Sequence, residues 1–325
     1  MPERGHGAVR TYGRRGGRRL PPYAQKPRQR LGLGVMSVLV VGLGALGFAA
    51  FLGVAALFDG DRAHASGADP LTLRPPQAAG TPDEGTGEGG PDALGQSPLY
   101  SAGELAEAEC PAPKLDAEDS ASMERYLHRM TDCLDTAWQT EFEQRDLAYS
   151  APTRVYWTRS GNSPCGEYPA NGSAAFYCPS NKGLYLGVED IVASSDGVEH
   201  PEAYTFLLGH EYGHHVQSEA GILDGFRKAR GDAADGEGRD NLTRRSELQA
   251  NCLSGAFLGA ARKSFPIGGR ERANILEDAG RRSDRDTTGR EHGTPGNAEL
   301  WTKHGMDRRD PAACNTWQAG EELVE

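Results

Sequence analysis

Three residues within five positions have the types and spacing to hold and use a metal. The stretch Leu208-Gly209-His210-Glu211-Tyr212-Gly213-His214-His215 contains the pattern HExxH. Four residues of helix turn the chain by about 400°, so His210 and His214 share one face and both imidazoles can reach one Zn²⁺. Glu211 lies about 100° round the helix, where a carboxylate can take a proton from an activated water. The preceding run Tyr204-Thr205-Phe206-Leu207-Leu208 is apolar and free of Pro and Gly. It predicts the buried approach of the same helix, over about 202–219.

A catalytic zinc takes three protein ligands and keeps a fourth position open. The run from Arg245 to Leu258 offers the third. Leu248, Cys252, Gly255 and Gly259 recur at helical spacing, and Ser246 can cap the start. Glu247 and Asn251 are four apart and share a face. Glu247 completes a His-His-Glu set for one Zn²⁺ per chain; its competing role is a solvated first-turn Glu favoured by the helix dipole. Asn251 can accept a hydrogen bond from the second ring nitrogen of a ligand His and so fix its tautomer.

These residues carry a resemblance. GHEYGHHVQ (Gly209 to Gln217) followed by RRSELQANCLSGAF (Arg244 to Phe257) resembles the bacterial neutral zinc metallopeptidase family. Phe176-Tyr177-Cys178-Pro179-Ser180-Asn181, leading to Leu184-Tyr185-Leu186, is similar to that family's FYCP strand. His292-Gly293-Thr294, leading to Glu299-Leu300-Trp301, is similar to its C-terminal HG segment. The similarity covers roughly residues 150 to 310. The family usually has Asp where this chain has Asn251, so the acceptor oxygen is kept and its charge is lost. The resemblance implies an α+β, zincin-like metallopeptidase domain, with a small sheet beside the HExxH helix. It also implies a peptide or protein substrate, with Glu211 as general base. A second hydrogen-bond donor usually steadies the tetrahedral oxyanion. His292 is the first candidate, implied mainly by the resemblance. Tyr212 and His215 follow, with packing as the competing role of each. A non-catalytic zinc-containing scaffold and a zinc amidase acting on cell-wall material are the alternative readings.

The elements that position these groups occupy only part of the 325 residues. Residues 1–30 hold nine Arg or Lys and one acidic residue, Glu3, among Gly and Pro. They read as a disordered cytoplasmic tail with a topological role and no nucleic-acid partner. Residues 31–58 contain no charge and exceed the ~20 residues that span a bilayer. A single transmembrane helix in the cell membrane is expected, N-terminus inside, with the catalytic domain extracytoplasmic. A cleaved signal peptide is the alternative, because Ala63-His64-Ala65 fits a small-x-small cleavage pattern. Residues 59–109 carry ten acidic groups against Arg62 and Arg74 and read as a flexible linker. Their acidity contributes much of the net charge of −11, which therefore says little about the substrate. Residues 110–325 are left as the metallopeptidase domain.

All six cysteines follow the apolar run, as disulfides in an oxidising compartment would. Proximity favours Cys110–Cys133 and Cys165–Cys178, leaving Cys252–Cys314, out of fifteen possible pairings. An amphipathic helix is expected over 116–148. Strands are expected over 154–158, 174–178 and 183–187, with turns at 161–164 and 181–183. The strand Gly183 to Gly187 is the candidate edge for pairing with an extended peptide. A helix is expected over 245–262, another near 269–283 and a short one near 296–304. The polar, Gly-containing stretch Gly221 to Arg245 reads as a loop, with substrate gating weighed against an ordinary exposed insertion.

Overall fold

The amphipathic stripe upstream of the metal motif forms α1, Ser120–Glu143, in a computed structural model that describes residues 94–101, 103–169, 173–195, 200–285 and 290–325. Asp119 caps α1 by accepting from the Ala121 amide, which satisfies one of the orphan donors of the first turn. Met123, Leu127, Met130, Leu134, Trp138 and Phe142 face inward and are buried. Five strands follow: β1 (Thr153–Trp157), β2 (Gly161–Ser163), β3 (Gly166–Tyr168), β4 (Ala175–Cys178) and β5 (Gly183–Gly187). β2 and β3 form a hairpin where only a turn was expected. The other three form one sheet in the order β1-β5-β4, with β1 and β5 parallel and β4 and β5 antiparallel. Gly183–Gly187 is therefore the central strand, not the expected edge. Both its neighbours use its backbone, and every residue of it is buried. β4 is an edge of this sheet.

Among the described residues, the α-helices that follow are α2 (Asp190–Ser194), α3 (Pro201–Glu219), α4 (Ile222–Asp232), α5 (Gly236–Ala261), α6 (Gly269–Arg282) and α7 (Pro295–Arg308). Pro201 starts α3 at a position whose missing N–H costs nothing. Gly221, at φ 72°, ends it and admits a sharp turn into α4. The stretch expected as a loop between the ligand helices is thus mostly helical. Ile222, Leu223, Phe226 and Ala229 supply the inward stripe of α4. Asp235 caps α5 by accepting from the Gly238 amide at 2.8 Å. Glycine content concealed α4, since each interior Gly weakens a helix by about 1 kcal/mol. One of them, Gly225, has a packing reason: a Cβ there would lie 2.6 Å from Leu94 Cδ2.

α5 is the centre of the fold. From Leu248 to Ala261 every residue is buried, between α3 on one side and α7 on the other. The backbones approach closely. A Cβ on Gly213 would lie 2.9 Å from the Ala250 backbone, and one on Gly305 would strike the Cys252 carbonyl. The three disulfides join Cys110 to Cys133, Cys165 to Cys178 and Cys252 to Cys314, the pairs favoured by sequence proximity.

The folded unit reaches further towards the N-terminus than residue 110. Leu94, Leu99 and Leu105 are buried in the core, the Ala108 amide donates to the Ala260 carbonyl, and Asn315 donates to the Gly95 carbonyl at 2.9 Å. These apolar residues are scattered without helical or strand period in an acidic stretch, so only their tertiary partners reveal them. The expected tail at 1–30, the transmembrane helix at 31–58 and most of the linker lie outside the described residues. Among the described residues, no helix is long and apolar enough to cross a membrane.

Candidate active site

α3 presents His210 and His214 one turn apart, and α5 brings Glu247 opposite them. Glu247 Oε2 lies 3.2 Å from His210 Nε2 and 3.3 Å from His214 Nε2. All three donor atoms fall within 4.8 Å of one another. Tetrahedral zinc with bonds of about 2.0–2.1 Å holds neighbouring donors about 3.3 Å apart. The His-His-Glu set therefore fits a zinc ion in donor type and in spacing. The close packing of Gly213 on Ala250 makes this spacing possible, because Glu247 lies on α5 one turn before Ala250.

Ring orientation is set from behind. His210 Nδ1 lies 2.9 Å from Asn251 Oδ1, and His214 Nδ1 lies 2.9 Å from Gln217 Oε1. An amide oxygen only accepts, so each Nδ1 carries a hydrogen, and Nε2 is the nitrogen left to give up its proton and bind a metal. Asn251 was legible in the sequence; Gln217 was not. The Gln217 amide is oriented in turn, since its Nε2 donates to the Ser246 carbonyl at 2.8 Å and to Gln249 Oε1 at 3.0 Å. Gln249 donates to the Tyr100 hydroxyl and to the Cys314 carbonyl, and accepts from Trp317 Nε1. Both glutamines are fully buried. The one sequence signal for Gln217 is its place three residues after His214, on the same helix face.

The electrostatics of the cluster suit a cation. Burial alone would lower the His214 pKa, but the Glu247 carboxylate outweighs it and lifts the value to about 9. Burial alone would raise Glu247, but His214 and His210 hold it well below the usual carboxylate range. The carboxylate thus draws positive charge to the point where three donor atoms converge.

A cleft of about 490 Å³ opens beside the cluster, lined by His210, Glu211, Asn251 and His292 among others. Ala174 and Ala175, where edge strand β4 begins, form part of its wall. Glu211 is nearly buried and faces this cleft. His292 is brought there by Gly293, whose φ of 76° turns the chain before α7. The His292 ring is half-exposed, with Nδ1 3.3 Å from Asp284 Oδ1. Tyr212 and His215 face away. The Tyr212 hydroxyl bonds to Asp135 and Tyr149, and His215 is held between the Tyr177 hydroxyl and the Ser150 carbonyl. Both are fully buried, so their roles are in packing.

A family model described as "Putative neutral zinc metallopeptidase" matches residues 99–317. The chain is similar to the uncharacterized protein YpfJ of Escherichia coli (strain K12), 29% identical over 195 residues, or 56% of this chain and 67% of that protein. It is similar as well to the uncharacterized proteins Mb2605 of Mycobacterium bovis and Rv2575 of Mycobacterium tuberculosis. Each is 28% identical over 198 residues, or 53% of this chain and 64% of the relative. The chain thus spans about two thirds of the length of these relatives. No solved structure matches it.

Proposed function

Because this chain belongs to the family described as "Putative neutral zinc metallopeptidase", we propose that it hydrolyses peptide bonds with one zinc ion held by His210, His214 and Glu247. The observation that carries the reading is the convergence of these three donors beside a cleft that Glu211 faces. Bound zinc supplies a Lewis acid that polarises a carbonyl and lowers the pKa of a water to about 7. Glu211 accepts the proton of the attacking water and returns it to the leaving amine. Asn251 and Gln217 hold the ligand rings in the tautomer that frees Nε2. His292 donates to the developing oxyanion. With its Nδ1 hydrogen engaged by Asp284, the ring donates from Nε2 when it carries both protons. The edge of β4 pairs with an extended substrate, in the place first expected of β5. Residues 31–58 anchor the chain in the membrane, with this domain outside.

Glu211→Gln is the test. Gln keeps the shape but cannot take the proton, so the variant retains zinc by elemental analysis and loses about 10²–10⁴-fold in peptide turnover. His214→Ala, by contrast, loses the zinc itself. Equal hydrolysis by the parent and Glu211→Gln would sink the mechanism.

A further inference from the structure

We infer that a second cleft, walled by α4 and the start of α5, is a carboxylate-binding subsite, so that the substrate carries an acidic group to one side of the bond being cut. This rests on the peptidase reading above. The cleft measures about 540 Å³ and is lined by Arg227, Arg230 and Arg239, together with Glu247 and Glu291. Glu247 places it at the His-His-Glu cluster, while His210 and Glu211 line the first cleft. A peptide occupying both clefts passes over the cluster.

The arginines here differ from the others around the site. Arg281 and Arg282 are committed to the buried Asp278, and Arg244 to Glu237. Arg230 only gives its Nε–H to the Thr243 hydroxyl, and Arg239 one Nη1–H to the Ala233 carbonyl. Among the described residues, neither pairs with a carboxylate. Arg227 makes an exposed pair with Asp224 on its own helix, a contact of the weak kind that a ligand readily replaces. With Glu247 committed to the metal, the lining of the cleft sets three guanidinium groups against one carboxylate, Glu291. Open guanidinium forks match a carboxylate bidentately. A peptide offers that group as an Asp or Glu side chain or as its own C-terminal end.

The test uses the zinc-loaded full chain and fluorogenic peptide pairs. Members of a pair differ only in Glu against Gln at successive positions around the cleaved bond, each with a free or amidated C-terminus. The Glu peptide, or the free-ended one, is expected to gain about 10- to 100-fold in kcat/KM. The gain sits on one side of the bond and shrinks as salt rises. A gain confined to free ends assigns a terminal carboxylate; one that persists in amidated peptides assigns a side chain. In Arg230→Gln/Arg239→Gln the ratio falls towards one. Glu291→Gln, which removes the opposing charge, raises it and serves should the double variant not fold. Equal rates for every pair in the parent, or a preference that survives loss of both arginines, overturns the subsite. Binding of the same peptides to the zinc-loaded Glu211→Gln protein, read by fluorescence anisotropy, separates the two readings. Arginine-dependent binding of acidic peptides without cleavage by the parent leaves the subsite and removes the peptidase. Cleavage without charge preference does the reverse.

Discussion

Glu219 closes α3 with a carboxylate that is only 5% exposed. Burial would raise its pKa, but the Lys182 ammonium at 2.7 Å and the Ser150 amide and hydroxyl hold it below the ordinary carboxylate value. A depressed folded-state pKa means the carboxylate stabilises the fold above its unfolded value, near 4.5, and loses that contribution as pH falls through the folded value. Glu219→Gln should therefore cost about 1–3 kcal/mol at pH 7. In urea titrations the gap between parent and variant should narrow below pH 4.5; a gap constant down to pH 3 would show that the charge is not what stabilises. At this scale the His-His-Glu cluster was legible, because His210 and His214 depend on spacing within one helix and Glu247 and Asn251 on spacing within another. Gln217 and Gln249 escaped notice because their partners, Ser246, Tyr100 and Cys314, are set by tertiary contacts. Tyr212 and His215 could not be assigned a direction until the sheet and α1 fixed which face of α3 was inside.

Helices with strong apolar period were readable to within a few residues: α1, α3, α6 and the later half of α5. α4 was not, because glycine and charge outweighed a short stripe. β1, β4 and β5 were each placed to within one residue, but β5 was taken for the edge and is the centre, since strand order is a long-range property. The crossing of α3 and α5 gives a prediction at this level. Gly213→Ala gains intrinsic helix propensity, but its Cβ would lie 2.9 Å from the Ala250 backbone, which cannot rotate away. Overpacking should win, with a net loss of about 1–3 kcal/mol and weaker zinc binding as Glu247 is pushed back. Gly231→Ala on α4 meets nothing within 4 Å and should stabilise by up to about 1 kcal/mol. Chemical denaturation of both variants checks the opposite signs; a stabilised Gly213→Ala would refute the close-approach argument.

For the whole molecule, the sequence set an apolar run and a basic tail apart from the rest, and read as linker a stretch whose Leu94, Leu99 and Leu105 are buried in the core. The proposed anchor at 31–58 predicts that protease added to intact cells removes the disulfide-bonded domain and spares the first thirty residues. Release of a soluble protein beginning near Ser66 would instead establish signal cleavage. The amide chain from His214 through Gln217 and Gln249 to Cys314 has a consequence for how the protein is made. Glu247 leaves the ribosome 67 residues before Cys314, a delay of several seconds at about 5–20 residues per second. All three ligands exist during that interval, while the segment that steadies His214 and closes the Cys252 bridge does not. The nascent chain thus carries the His-His-Glu cluster before it carries the means to hold it still, and the finished geometry waits for the segment around Cys314.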